Sequence, residues 1–209
     1  IFGIFLNMSY NGEAFEIVTV FGKVITYIIL LSFILLIIQF TVAGLISKRN
    51  PFTALKTMLP AYMTALGTAS SAATIPVTLA QAKKSGVAED IADFCIPLCA
   101  TIHLSGSTMK IVGTSMAILL LQGESINFFI YLGFIMMLGI TMVAAPGVPG
   151  GAIMAAIAIL QSILGFNEQA IALMIAVYVA IDSFGTACNV TGDGAISLIV
   201  NRFKKSLVK

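Results

Sequence analysis

Four polar side chains with the spacing of one helix face lie near the end of the chain, within an apolar segment. Asp182, Thr186, Asn189 and Asp193 are separated by four, three and four residues, so an α-helix places them on one face. A charge at the centre of a bilayer costs at least about 2.5–3.5 kcal/mol, and such residues normally mark an ion or substrate pathway. Oxygen ligands of this kind suit a hard cation. A position at the membrane edge is the alternative for both aspartates.

A second polar stretch covers residues 101–108, which read Thr-Ile-His-Leu-Ser-Gly-Ser-Thr, and Lys110 follows it. Its histidine, His103, has the side chain that ordinarily changes charge near neutral pH. The sequence has one histidine, and its three cysteines form no CxxC motif. Neither a zinc site nor a redox site is therefore indicated, and we interpret the cysteines as small buried side chains.

The composition indicates a membrane protein. Hydrophobic residues make up 59% of the 209 residues and charged residues 10%, against about 45–50% and about 25% in ordinary soluble domains. Charge-free runs cover residues 24–47, 57–82, 94–109 and 125–167, and one helical span needs about 20 apolar residues. The last run is therefore long enough for two segments. The net charge of +2 is too small to indicate nucleic-acid binding.

Two of the apolar runs contain helix-breaking sequences at their centres. Residues 67–76 collect small and hydroxyl side chains and end in a proline, and residues 139–151 contain two prolines and four glycines. Backbone groups freed at membrane depth must be buried in protein or face a watery cavity. Each run therefore predicts two helices joined by a tip, which enter and leave the membrane on one side. Tight helix packing through small residues is the alternative, but paired interrupted segments point to a transporter site.

The basic residues predict the orientation in the membrane. If the span of residues 24–47 ends in the cytoplasm and the first interrupted run enters from that side, nine of the eleven Lys and Arg residues are cytoplasmic, as the positive-inside rule requires. Lys23 then lies outside, and Lys110 lies within the membrane. The chain begins in an apolar stretch, which we interpret as the end of a helix in a longer protein. We expect a multi-pass protein of the plasma membrane.

These motifs resemble those of the dicarboxylate/amino acid:cation symporter family, the glutamate-transporter homologues. Residues 70–78 (Ser-Ser-Ala-Ala-Thr-Ile-Pro-Val-Thr) are similar to the serine-rich tip of the family's first hairpin, and residues 147–150 (Gly-Val-Pro-Gly) to the tip of its second. Residues 189–193 (Asn-Val-Thr-Gly-Asp) match the motif of the family's eighth span without change. The resemblance covers nearly the whole chain.

The resemblance implies an all-α integral membrane fold with two re-entrant helical hairpins and broken transmembrane helices. Residues 1–10 would end a scaffold helix, and residues 11–209 would form a transport domain. The expected elements of that domain are a span at 15–47, hairpin one at 52–84, a broken span at 90–122, hairpin two at 126–165 and a broken span at 168–203. The family also implies a homotrimer in the lipid bilayer, in which each transport domain moves like an elevator against the scaffold.

The resemblance further implies a binding site for an amino acid, sites for co-transported sodium ions, and no organic cofactor. Asp182 would bind the substrate ammonium group, with its carboxylate held by Asn189 and by the backbone of the two tips. The expected substrate-binding residues are Ser70, Ser71, Ser107, Val148, Asp182, Thr186 and Asn189. The expected ligands of one sodium ion are Asp193 and backbone oxygens of Cys99, His103 and Asn189. Those of a second are Thr101 and the backbone at Met142, Val143 and Ala145, completed when hairpin two closes.

Two departures from the family pattern bear on the substrate. Family members that carry acidic amino acids hold the distal carboxylate with an arginine, and the corresponding positions here are Gly185 and Ala69. Because burying a second carboxylate without a partner is prohibitive, we expect a neutral amino acid of small or medium size. A larger neutral substrate such as cystine also fits, since Gly185 leaves room. An acidic amino acid or a dicarboxylate is the alternative.

Three residues are candidates for ion coupling: His103, Ser105 and Lys110. His103 and Ser105 replace the Asn and Asp of the family's seventh-span motif, which predicts that a third sodium site is weakened or lost. His103 is either a neutral polar residue in a helix break or a group that couples transport to protons. Lys110 has three interpretations. It extends to the membrane edge, its ammonium group replaces a missing cation, or it pairs with an anionic substrate side chain.

Other functional classes fit the sequence less well. An intramembrane serine protease would use Ser, His and Asp residues, which are present, but there is no G-x-S-x-G motif. A channel needs a continuous polar pore, whereas the polar residues cluster at one depth. No G-x-x-x-x-G-K-[ST] motif indicates an ATP-driven pump. The sequence therefore predicts a secondary active symporter of a neutral amino acid that is driven by sodium. It leaves open whether protons are coupled to transport as well.

Overall fold

The computed structural model describes residues 14–207, with side chains from residue 19 to residue 204. This part of the chain folds into nine α-helices and contains no strand. In chain order they are α1 (Ala14–Ser47), α2 (Pro51–Thr68), α3 (Ser71–Lys84), α4 (Glu89–Ile102), α5 (Ser105–Leu121), α6 (Phe128–Met142), α7 (Gly151–Leu164), α8 (Glu168–Ala180) and α9 (Asp182–Leu207). The expected scaffold-helix end at residues 1–10 lies outside the described residues.

The described helices have the length and surface of a membrane protein. Two segments, Thr19–Ser47 and Glu89–Leu121, are long and apolar enough to span a bilayer, and a third is obtained if α8 and α9 count as one bent span. The first has 29 residues, or about 44 Å of helix at about 1.5 Å per residue. Large apolar side chains such as Leu45, Phe128 and Phe129 are at least 70% exposed. A surface of this kind is typical of contact with lipid.

Each interrupted segment is a pair of helices with a short non-helical tip. Helices α2 and α3 are separated only by Ala69 and Ser70, which we name tip one. Ala69 adopts a left-handed conformation with φ 48° and ends α2, while the Ser70 hydroxyl caps α3 by accepting from the Ala73 N–H at 3.2 Å. Helices α6 and α7 are separated by residues 143–150, which we name tip two. The helices of each pair pack against each other, and their re-entrant course through a membrane stays a prediction.

Both broken spans contain a break at the predicted polar centre. The break between α4 and α5 consists of His103 and Leu104, and that between α8 and α9 is Ile181, where the helix axes differ by 61°. The N–H groups at the start of α5 and α9 therefore lack partners within their own helices. Such groups need acceptors at membrane depth, and the site described below provides them for α5.

The described helices enclose two apolar cores. One is formed mainly by α5 to α8, with Phe134, Leu138 and Met174 among its fully buried side chains. The other is formed by α1 to α4 with α9, and Met58 is among its fully buried side chains. A Cβ atom at Gly194 of α9 would lie 2.8 Å from the Met58 sulfur, so the glycine lets Met58 pack directly on the α9 backbone. Close packing of this kind, rather than exclusion of water, holds helices together in lipid.

Polar contacts join the loops at the end of the molecule that the sequence assigns to the cytoplasm. The Arg49 guanidinium group donates to the carbonyl oxygen of Ser85, which joins the α1–α2 loop to the α3–α4 loop. Lys204, near the end of α9, pairs with Asp90 at the start of α4. Arg49 and Lys204 therefore lie at the same end of the molecule. The predicted orientation places both residues on the cytoplasmic side of the membrane.

Candidate functional site

The helix breaks and tips converge on one narrow cavity. Its lining residues are Ala69, Ser71, Leu104, Ser107, Pro146, Gly147, Val148, Ala152, Tyr178, Asp182, Thr186 and Asn189. Six of the seven expected substrate-binding residues are among them, and Ser70 adjoins the cavity through its contact with Gly147. Asp182 is the one charged residue in this lining. A wider cavity near Glu124 and Asn167 contains none of the expected site residues.

The two tips are held together by hydrogen bonds to one carbonyl group. The Ser70 hydroxyl donates to the carbonyl oxygen of Gly147 at 3.0 Å, and the Ala72 N–H donates to the same oxygen at 3.1 Å. Gly147 also packs on α4, since a Cβ atom there would collide with the carbonyl oxygen of Ala100. The Thr186 hydroxyl reaches the carbonyl oxygen of Ala69 at 3.5 Å. The tips are therefore in contact over the cavity, and a substrate needs tip movement to enter.

Asp182 is buried and is bound through both carboxylate oxygens. Its Oδ1 accepts a hydrogen bond from the Lys110 ammonium group at 2.7 Å, and its Oδ2 accepts one from the Gly150 N–H of tip two at 2.7 Å. Lys110 is fully buried, and its Nζ lies 3.7 Å from the centre of the Tyr178 ring. The interpretation that Lys110 extends to the membrane edge is therefore wrong, because its ammonium group is held inside the protein by Asp182.

Asn189 organises the start of α5. Its side-chain oxygen accepts from the N–H groups of Gly106 at 2.7 Å and Ser107 at 3.3 Å, and its amide nitrogen donates to the Ser107 hydroxyl at 2.9 Å. Leu104 precedes α5 and provides no side-chain cap. Asn189 thus caps a helix that the break would leave uncapped. Gly106 lets the start of α5 pack closely on α9, because a Cβ atom there would lie 2.6 Å from the carbonyl oxygen of Gly185.

His103 joins α9 to α1. Its Nδ1 lies 2.8 Å from Oδ1 of Asp193, and its Nε2 lies 3.3 Å from the amide nitrogen of Gln39. The same amide donates to the Ser105 hydroxyl at 3.3 Å. If the Gln39 nitrogen donates to Nε2, the ring is neutral and its proton is on Nδ1, directed at Asp193. Among the described residues, the ring nitrogens of His103 contact Gln39 and Asp193 and no serine, so no protease triad is formed.

The expected ligands of the two sodium ions lie on α4, at the break after it, at the end of α6, in tip two and on α9. Of those expected for the first ion, Asp193 is 1% exposed and its carboxylate contacts the His103 ring, while Cys99 is buried. Of those expected for the second, the Thr101 hydroxyl donates to the carbonyl oxygen of Leu98 at 2.9 Å, which leaves its oxygen lone pairs available to a cation. At the end of α6 and in tip two, Met142 and Ala145 are buried and Val143 is 57% exposed. Within the described part of the chain, no three His, Cys, Asp or Glu side chains cluster as a metal site.

Three contributors to the site were not predicted from the sequence. Gln39 lies in α1, the longest of the described helices, where a single amide among aliphatic residues was the available signal. Tyr178 contributes its ring to the lining and to Lys110, and no pattern distinguishes it from a core aromatic residue. The Gly150 N–H bond to Asp182 depends on the fold of tip two, which the sequence does not specify.

Known proteins are similar to this chain in amino-acid sequence. The family model described as the sodium:dicarboxylate symporter family matches residues 1–203. The chain is 30% identical over 165 residues to the neutral amino acid transporter B(0) of Mus musculus, covering 77% of this chain and 30% of that protein. It is 31% identical over 170 residues to the excitatory amino acid transporter 1 of Rattus norvegicus, covering 79% of this chain and 30% of that protein.

A third relative has a similar identity and covers a similar share of the chain. The excitatory amino acid transporter of Caenorhabditis elegans is 27% identical over 161 residues, which cover 77% of this chain and 32% of that protein. The chain therefore spans about a third of the length of these relatives. Their names describe transporters of neutral and of excitatory amino acids, and none describes an enzyme. With a family model that matches nearly all of its length, the chain belongs to the sodium:dicarboxylate symporter family, a family of transporters.

Proposed function

We propose that the protein is a secondary active symporter that imports a neutral amino acid, and that the cavity between the two tips binds it. The observation that carries the proposal is the lining of this cavity. It combines one carboxylate, Asp182, with hydroxyl groups such as Ser71 and Thr186 and with polar backbone groups of both tips. A zwitterion needs one carboxylate for its ammonium group and several donors for its own carboxylate. The cavity contains both kinds of group.

Each lining group has a proposed role. Asp182 binds the substrate ammonium group when tip two moves and the Gly150 N–H leaves Oδ2. The substrate carboxylate is bound by Asn189, by the Ser71 N–H at the start of α3 and by the tip-two backbone near Val148. Helix starts favour anions, because their N–H groups are free and the helix dipole is positive there. Ser107 and Thr186 contact the substrate side chain, and Ser70 holds the tips closed through Gly147.

The position of Lys110 supports a neutral rather than an acidic substrate. The cation that could bind a second substrate carboxylate is bonded to Asp182, and Lys110 is not among the lining residues of the cavity. The nearest available charge for an anionic side chain is then Asp182, which repels it. An acidic amino acid is the second candidate, favoured if Lys110 leaves Asp182 and turns toward the cavity, and the uptake experiment below separates the two.

Sodium is the proposed driving ion. The second group of ligands fits, since the Thr101 hydroxyl has oxygen lone pairs to offer and carbonyl oxygens of residues 142–145 lie in non-helical tip two or at its start. In the first group, sodium at Asp193 requires the His103 ring to give up its contact with Oδ1. Coupling to protons through His103 is the alternative at this position, and Ser105 responds with it because Gln39 contacts both residues.

The family also leads us to propose how the protein is built and where it works. Residues 11–209 form a transport domain that moves in an elevator-like way within a homotrimer of the plasma membrane, and residues 1–10 end a helix of its scaffold. The convergence of both tips and both helix breaks on one cavity supports this proposal, because the whole binding site is then carried by one moving unit.

Uptake into proteoliposomes made with the protein in its full length tests the proposed function. A sodium gradient and a proton gradient are imposed separately, and uptake of labelled serine is competed with alanine, cystine and aspartate. We expect sodium-driven uptake that neutral amino acids block and aspartate does not. Uptake blocked by aspartate would establish the acidic substrate instead, and uptake driven by protons alone would overturn sodium coupling.

A further inference from the structure

The negative charge of the Asp182 carboxylate is paired with a substrate ammonium group only while a substrate is bound. It is 5% exposed at the level of the helix breaks, where an unpaired charge is strongly unfavourable. When an amino acid is bound, its ammonium group can pair with Asp182. When the amino acid has been released, the site must still return across the membrane, and Asp182 needs another cation during that step.

The structure shows such a cation in place. The Lys110 ammonium group lies 2.7 Å from Oδ1 of Asp182, reaches the carbonyl oxygen of Ile181 at 3.5 Å and lies over the ring of Tyr178 at 3.7 Å. These partners surround the ammonium group, and Lys110 itself is fully buried and absent from the cavity lining. It occupies Oδ1 of Asp182, whereas Oδ2 is held by the Gly150 N–H of tip two, so a substrate ammonium group that replaces this N–H can share the carboxylate with Lys110.

A second observation concerns the space that Lys110 fills. A Cβ atom placed on Gly185 would collide with Cε of Lys110 and lie 2.9 Å from its Cδ and Nζ. Gly185 is three residues after Asp182 on α9, so a side chain from position 185 would start in the volume that the lysine occupies. Lys110 can therefore reach Asp182 only because position 185 has no side chain. The cation beside Asp182 thus comes from α5 and not from α9.

We propose that Lys110 is a tethered counter-cation, which compensates Asp182 in the substrate-free site and thereby permits the empty transport domain to return. The inference rests on the proposed function, because it assigns Lys110 to one step of that transport cycle. Lys110 acts through Asp182 as a positioning residue. With the cation built into α5, the return step needs no small cation from solution.

Comparison of net uptake with exchange isolates that step. In exchange, proteoliposomes filled with unlabelled serine take up labelled serine, and the site crosses the membrane loaded in both directions. In net uptake the site must return empty. We compare wild type, Lys110→Met, and Lys56→Met as a control that removes an exposed lysine. We expect the ratio of net uptake to exchange to fall by at least about tenfold in Lys110→Met, given the cost of an unpaired buried charge, and to stay unchanged in Lys56→Met.

A rescue variant tests the role of the charge apart from the packing. In Lys110→Met/Gly185→Lys, the cation starts from α9 in the volume that the original lysine leaves. We expect this variant to recover at least about half of the wild-type ratio, because the ammonium group is again beside Asp182. A ratio that stays as low as in Lys110→Met would indicate that the lysine is needed for its shape, and would contradict the proposal.

Wild-type protein supplies a test that does not depend on a folded variant. Net uptake is measured with vesicles whose interior contains potassium, or only the bulky cation N-methyl-D-glucamine, at equal pH inside and outside. A tethered cation predicts equal net uptake in both. Net uptake that falls severalfold without internal potassium would overturn the proposal, as would an equal loss of uptake and exchange in Lys110→Met. Absence of both serine uptake and serine exchange in wild type would instead refute the proposed function.

Discussion

Substitution of Gly147 by alanine should weaken substrate binding by opening the contact between the two tips. A Cβ atom at this position collides with the carbonyl oxygen of Ala100, which is backbone and cannot turn away as a flexible side chain does. Tip two must then shift, and the two hydrogen bonds that the Gly147 carbonyl accepts from Ser70 and Ala72 lengthen or break. Gly147 has no left-handed backbone conformation, so the effect comes from the collision alone.

The magnitude follows from these two bonds. A hydrogen bond contributes about 0.5–1.5 kcal/mol net, so losing both costs the closed site about 1–3 kcal/mol. A binding constant changes tenfold for about every 1.4 kcal/mol, which gives substrate binding weaker by about 5- to 150-fold. Most of the loss should appear in the Kd for serine, since tip two closes over the bound substrate.

A glycine of the same helix pair provides the matched control. Gly139 lies within α6, and a Cβ atom there would meet no atom within 4 Å. Alanine at that position should leave binding unchanged and stabilise the helix by up to about 1 kcal/mol. The Kd for labelled serine is measured by equilibrium binding to purified Gly147→Ala and Gly139→Ala proteins. Equal affinity of the two variants would refute the conclusion that contact between the tips is part of the binding site.

Three further substitutions test separate parts of the structure. Asn189→Ala leaves the Gly106 N–H without its acceptor, so the thermal unfolding midpoint should fall by an amount equivalent to about 1–3 kcal/mol; an unchanged midpoint would argue against the capping role. Gln39→Leu removes the side chain that contacts Nε2 of His103, and the sodium concentration for half-maximal uptake should change while the Kd for serine measured at saturating sodium does not. Asn50→Ala removes the cap of the second helix and should lower stability by about 1 kcal/mol with unchanged serine binding; weaker binding would show that this loop is coupled to the site.

The sequence predicts the polar face of α9 well because that feature is local. Helical periodicity is sufficient to place Asp182, Asn189 and Asp193 on one face, and all three are buried in the structure. The positions of the helix breaks are predicted for the same reason, since proline, glycine and clustered polar residues act on the backbone near them. Nine helices cover most of the described residues, and their division into spans and hairpins of a transport domain stays a prediction.

Contacts between helices could not be predicted in the same way. Periodicity identifies the face of a helix that is buried but not the residue opposite to it. Lys110 and Asp182 are 72 residues apart, and His103 and Gln39 are 64 apart. For Lys110 three interpretations stood open, and its position depends on the carboxylate of Asp182 and on the space left by Gly185, both on another helix. The re-entrant course of the two helix pairs and the roles of the sodium ligands stay predictions.

Binding of labelled serine to wild type, Asp182→Asn and Glu124→Gln tests whether the cavity between the tips is the amino acid site. Glu124 is an exposed carboxylate distant in sequence from the tips, and its substitution controls for loss of a negative charge. We expect Asp182→Asn to bind serine about 10- to 150-fold more weakly, because losing a hydrogen bond to a charged group costs about 1.5–3 kcal/mol, and Glu124→Gln to bind like wild type. Wild-type affinity in a folded Asp182→Asn protein would contradict the assignment of the cavity between the tips as the amino acid site.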